Sequence, residues 1–161
     1  MDREELLQAY INGYDELAAV IQKADKEMLY YKPAENKWSA VEVVVHITDT
    51  ECNASVRLRK AIAEPGAKAE PTNQDVWAKV LDYQHHDLVV SLALFQMLRL
   101  NNYKLLSSID DKLWSNTIVH PTRGNVTVEE LLKIYTEHIH THINQIKRNF
   151  DAYLSNQPNN K

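Results

Sequence analysis

Two histidines four residues apart, His138 and His142, give the first chemical signal in this 161-residue chain. On an α-helix, residues at i and i+4 project from one face a turn apart, which suits two imidazole ligands of a single divalent ion. That face is also apolar. Leu131, Tyr135, His138, His142 and Ile146 follow one stripe, so both rings are directed into a protein interior. His46 is set the same way among Val43, Ile47, Thr50 and Ala54. An unpartnered buried polar group costs roughly 1 to 3 kcal/mol, so three inward imidazoles need partners. A neighbouring carbonyl or carboxylate would satisfy any one of them, whereas three together on two helices point to a metal ion.

Three neutral imidazoles leave the charge of such an ion uncompensated and its coordination incomplete, which is the pattern of a catalytic rather than a closed structural site. An open Lewis acid can bring the pKa of a water toward about 7, or ionise a thiol. Zn or Ni heads the candidates, with Fe and Mn also accepting imidazole. Two better-known metal motifs do not fit. The H-E-x-x-H protease pattern needs a glutamate where Ile139 stands, and a di-iron carboxylate bundle needs two inward Glu-x-x-His pairs, whereas Glu137 with His140 is a single pair facing outward.

Other polar residues are candidates for supporting roles. Asp49, three after His46, and Gln145, three after His142, are spaced to orient an imidazole N–H. Trp77 and Tyr135 could wall a pocket or simply pack in the core, and His120 could hang over the site. His140 should face solvent, and His85 and His86 should belong to a polar helix start. The single cysteine, Cys52, excludes an internal disulfide and reads as inert.

The elements that must hold these groups are helices. Three glycines and five prolines punctuate a chain rich in strong helix formers. The apolar period predicts a first helix over about Asp2 to Lys26, with Leu6, Tyr10, Tyr14, Leu17 and Ile21 on its stripe. A second starts at the capping box formed by Ser39 and Glu42 and runs to Ala63, where Pro65 and Gly66 stop it. A polar connection carrying Pro71 and Trp77, with room for a helical turn, leads to a third over Asp82 to Ser108, with apolar Leu88, Leu92, Phe95 and Leu98. Residues 114–127 suggest a small hairpin about Pro121 and Gly124. The fourth helix opens on the capping box of Thr127 and Glu130 and continues to about Leu154. The expected architecture is one all-α, antiparallel four-helix bundle over residues 1–154, followed by a disordered tail, 155–161.

A formal net charge of -4 with scattered basic residues disfavours nucleic acid as a partner. No apolar stretch approaches the roughly 18 residues of a membrane span, and the first residues lack signal-peptide order, so the cytoplasm is the expected compartment.

The segments Lys37-Trp-Ser-Ala-Val-Glu-Val-Val-Val-His46-Ile-Thr-Asp49, Asp75-Val-Trp77, Val119-His-Pro121 and Ile134-Tyr-Thr-Glu-His138-Ile-His-Thr-His142-Ile-Asn-Gln145-Ile146 together resemble the DinB/YfiT-like metal-binding bundles. The resemblance covers most of the chain. It implies one divalent metal ion per chain on His46, His138 and His142, a homodimer, and an enzyme acting on small molecules. The implied activity is transfer of a low-molecular-weight thiol, such as bacillithiol, to an electrophile. A hydrolase using water, or a non-catalytic metal-binding protein associated with stress, are the alternatives. Glu51 departs from the pattern of those members that carry histidine at that position.

Overall fold

The computed structural model describes residues 1–157. Four long helices form the bundle: α1 (Arg3–Ile21), α3 (Ala40–Ala63), α5 (Leu88–Leu106) and α6 (Val128–Ser155). Short helices α2 (Lys26–Tyr30) and α4 (Gln74–Val80) lie in the connections, and β1 (Thr117–His120) pairs with β2 (Gly124–Thr127) as an antiparallel hairpin. Ser155, assigned to the tail by the sequence, belongs to α6; residues 158–161 of the expected tail lie outside the described residues. Among the described residues no helix is long and apolar enough to cross a membrane.

Local chemistry sets the helix starts. The Ser39–Glu42 and Thr127–Glu130 capping boxes both form, each side chain bonding the other residue's backbone N–H, and Asp2 with Glu5 makes a third on α1. The first helix ends sooner than its period suggests, because Asp25 caps a separate short helix. The third also begins late. Tyr83–His85 forms a 3-10 turn after Asp82, which sits at φ 54°, and Asp87 then caps α5 by accepting from Val89 and Val90. His85 and His86 therefore belong to the turn rather than to the helix.

The helices pack in a ring in which α1 touches α5 and α6, and α3 touches the same two. Cross-contacts give the directions. Tyr14 against Phe95 and Tyr10 against Asn102 make α1 and α5 antiparallel, as do Arg57 with Tyr135 and His46 with His142 for α3 and α6. Thr48 with Ser91 and Ser55 with Asn102 run in the same sense, so α3 and α5 are parallel. Arg3 with Glu129 and Glu16 with His140 make α1 and α6 parallel too. The bundle thus combines antiparallel and parallel neighbours, and the parallel α3/α5 pair needs the long connection that carries α4 back along the molecule.

That connection also roofs one end of the bundle. Gly66 N–H donates to the Thr117 carbonyl at 2.8 Å, Val119 N–H to Ala67 at 2.8 Å, and Ala69 N–H to Val119 at 3.0 Å. The chain after α3 therefore runs as an extended segment beside β1. Gly124, at φ 72°, closes the hairpin turn in a conformation that L side chains rarely adopt. The result brings His120 and Thr122 over the same face of α3 that carries His46.

Candidate metal centre

His46 is contributed by the continuous buried run Ala40–Thr48 of α3, while His138 and His142 come from one face of α6. One ring nitrogen of each lies within 4.8 Å of the others. The ring centroids are 5.3 Å apart for His46 and His138, 4.8 Å for His46 and His142, and 4.4 Å for His138 and His142. The Trp38 ring lies 4.9 Å from His46 and shields it on one side.

The protein leaves these donors incompletely used. His46 Nε2 is buried and has no hydrogen-bond partner among the described residues. The Nε2 atoms of His138 and His142 face one another at 3.0 Å. Gln145 Oε1 lies 2.9 Å from His142 Nδ1 and accepts its proton, which leaves the Nε2 lone pair free to bind a metal. Burial, reinforced by His142, holds His46 down at about 4; burial, then His142, His46 and Arg99, holds His138 at about 3. Burial also lowers His142. All three rings are therefore neutral at pH 7, the state in which imidazole coordinates. An orphaned buried nitrogen beside two convergent ones fits a divalent ion that accepts imidazole.

A cavity of about 270 Å³ opens beside the cluster, lined by His46 and His138 and walled by Trp77, Tyr83 and His120. Its α3 side carries Asp49, Thr50, Asn53 and Arg57. A second, smaller cleft adjoins the cluster at His142 and Gln145, which meet Asn36, Trp38 and Asp75 there; Gln74 lines both openings.

Gln145 thus lies against His142, and Trp77 and His120 line the cavity beside the cluster. Asp49 does not orient His46: its carboxylate accepts from the Tyr83 hydroxyl and lines the cavity, because the i+3 offset turns it toward the 3-10 turn while the imidazole leans on Trp38. Tyr135 is buried and reaches the site indirectly, its hydroxyl accepting from Arg57 at 3.2 Å. His140 sits outside the cluster, half-exposed and 3.2 Å from Glu16. Cys52 is half-buried, and burial, then Asp49 and Glu51, raises its thiol pKa.

Sequence reasoning missed Arg57, Asn53, Thr50 and Tyr83. The first three were open to detection, since His46, Thr50, Asn53 and Arg57 fall at i, i+4, i+7 and i+11, one stripe of α3. Glu51 lies outside the cluster altogether. It is fully buried and bonded to Tyr10, Arg99 and Asn102.

Residues 9–146 match the DinB superfamily, and the chain belongs to it. A relative from Oceanobacillus iheyensis named "Putative metal-dependent hydrolase" is 25% identical over 145 residues, covering 88% of this chain and 84% of its own. "Putative metal-dependent hydrolase YfiT" of Bacillus subtilis is 30% identical over 110 residues, covering 68% of this chain and 62% of its own. The solved structure of YfiT from Bacillus subtilis, described as a probable metal-dependent hydrolase with an unusual four-helix bundle topology, superposes at TM-score 0.87 with 23% identity, over 96% of this chain and 90% of that one. The mycothiol-dependent maleylpyruvate isomerase shares the fold at TM-score 0.73 and 11% identity, over 91% of this chain and 61% of that one.

Proposed function

We propose that this chain is a divalent-metal-dependent enzyme that transfers a low-molecular-weight thiol to an electrophile. The observation that carries the metal reading is the buried, unpartnered His46 Nε2, set beside the facing nitrogens of His138 and His142 at the end of a cavity. A thiol supplied from outside agrees with the fold shared with a mycothiol-dependent enzyme and with Cys52, whose raised pKa suits it poorly for attack.

His46, His138 and His142 would hold the ion, with Gln145 fixing the ring of His142. The ion would supply Lewis acidity that favours the deprotonated form of a thiol or a water. In the transfer the thiol loses its proton, its sulphur bonds the electrophilic carbon, and the leaving group departs with its electron pair. Asp49, which lines the same cavity and accepts from the Tyr83 hydroxyl, would receive the proton.

Hydrolysis is the second reading, and the same carboxylate favours it, since Asp49 could equally deprotonate a water. The names of the two relatives agree with that reaction.

The test begins with elemental analysis of natively purified wild type and His46→Ala, with folding checked by circular dichroism. Metal in wild type that is lost from the folded variant establishes the site, and absence of metal even after reconstitution with Zn, Ni, Fe and Mn overturns the proposal. Loaded protein is then assayed for thiol consumption with alkylating electrophiles and for ester and amide hydrolysis. Metal-dependent loss of thiol supports transfer, and hydrolysis without thiol supports the second reading.

A further inference from the structure

The cavity beside His46 also holds a guanidinium, Arg57, that no carboxylate pairs among the described residues, and a neutral imidazole, His120, against it. His120 Nδ1 lies 3.3 Å from both the backbone N–H and the hydroxyl of Thr122; the N–H can only donate, and when it does so the ring proton sits on Nε2. His120 stays neutral at pH 7, held below its usual range by burial, then by Arg57 and Arg123. Its Nε2 stands 3.5 Å from a terminal nitrogen of Arg57. A guanidinium has no lone pair to offer, so with the proton on Nε2 both groups present donors to the cavity, and with it on Nδ1 Arg57 donates to the ring.

Arg57 has no charge partner to explain its position. Its remaining contacts are the Tyr135 hydroxyl at 3.2 Å and the Glu70 carbonyl at 2.8 Å, both neutral. Among the described residues no carboxylate forms an ion pair with it. A half-buried cation without a carboxylate, beside an imidazole whose Nε2–H tautomer turns a second donor to the same space, leaves room for one acceptor bearing negative charge.

The position relative to the histidine cluster is set by two helices. Arg57 follows His46 by eleven residues, about three turns and roughly 16 Å along α3, on the same face. Tyr135, which Arg57 touches, lies one turn before His138 on α6. The Arg57–His120 pair and the imidazoles of the cluster therefore occupy separate parts of one cavity, as two ends of a small elongated molecule would require.

We propose that Arg57 and His120 form the receptor for a carboxylate group of the substrate, so that the cavity selects acidic small molecules over their neutral counterparts. A single guanidinium with a neutral imidazole balances one negative charge, which matches a carboxylate better than a phosphate dianion. Only the placement of the reacting end at the histidines rests on the function proposed above.

The test removes metal and thiol chemistry from the measurement. Metal-free protein is titrated with S-methylglutathione, which carries carboxylates and no free thiol, with its diethyl ester, with glutarate and with inorganic phosphate. The His120 ring is followed in nitrogen-15 correlation spectra. The expected result is saturable shifts at His120 with a carboxylate, weakened about tenfold or more by esterification and likewise in Arg57→Gln and His120→Ala. Arg57→Lys, which keeps the charge but not the fork, should retain part of the affinity. Equal affinity for acid and ester, undiminished binding to folded Arg57→Gln, tighter binding of phosphate than of any carboxylate, or no shift at His120 with any probe would each overturn the proposal. A cavity that binds carboxylates without metal turnover sinks the proposed function alone, and turnover that ignores Arg57 sinks this inference alone.

Discussion

Helix α3 carries two buried polar groups five residues apart, and the protein treats them in opposite ways. Glu51 is closed off. It accepts from Tyr10, from Arg99 Nε at 3.1 Å and from Asn102 at 3.2 Å, while Arg99 also donates to the backbone carbonyls of Tyr10 and Tyr135 and lies over the Tyr10 ring at 4.1 Å. His46 is left open, with a buried nitrogen that nothing among the described residues satisfies. Burying an ion pair is costly, and Glu51 with Arg99 offsets that cost by filling its hydrogen-bonding capacity from four helices. The histidine cluster leaves its own need for a partner outside the polypeptide. A saturated buried network reads as architecture, and an unsaturated one as a receptor.

The sharpest way to break this comparison is to exchange the expected phenotypes. His46→Ala should lose essentially all bound metal with its helical circular dichroism retained. Arg99→Met should do the reverse, costing about 3–5 kcal/mol in urea denaturation by stranding the Glu51 carboxylate, while the metal content of the folded fraction stays at the wild-type level. Metal loss in folded Arg99→Met would show that the two clusters are one functional unit.

Acid should separate them next. The unfolded chain protonates its histidines near pH 6.5, whereas His46 and His138 remain neutral in the fold down to about 4 and about 3. Between those limits the unfolded state binds more protons, so metal-free protein should lose stability as pH falls from about 6.5 toward 4, by a few kcal/mol in all. Above pH 6.5 these groups should contribute no pH dependence. Denaturation midpoints across that range check the slope, which His46→Ala should reduce.

A smaller effect is expected at Gln145, whose replacement by leucine should weaken metal binding about 10- to 100-fold by freeing the His142 ring, as read in a competition titration with a chelator. The smallest belongs to Cys52. Its raised pKa predicts alkylation by iodoacetamide at pH 8 more slowly than a free thiol, and Cys52→Ser should leave metal content unchanged.

Much of this contrast was legible in the sequence on one side and hidden on the other. His46, His138 and His142 announce themselves because like residues recur at helical spacing on apolar faces, and the capping boxes at Ser39 and Thr127 are complete within four residues. Arg99 gives no such signal: a lone arginine on α5 resembles a solvated charge until tertiary packing brings it to Glu51. The parallel pairing of α3 and α5 was hidden for the same reason, being decided by the long connection rather than by any local pattern. Asp49 shows that sequence proximity to a ligand fixes a side chain's neighbourhood but not its partner, since Tyr83, distant in sequence, claimed it. Gly13 records the packing cost of the closed network. A Cβ there would stand 2.7 Å from Arg99 and 3.1 Å from Ile139, so the glycine is what lets α1 approach.

The two openings beside the histidines, one lined by His46 and His138 and the other by His142, have a kinetic consequence. If each opening admits one molecule, the two-substrate reaction proposed above would not require the first to leave before the second arrives. Double-reciprocal plots at several fixed co-substrate concentrations would then intersect rather than run parallel, and a dead-end analogue lodged in one opening would leave the other substrate free to bind.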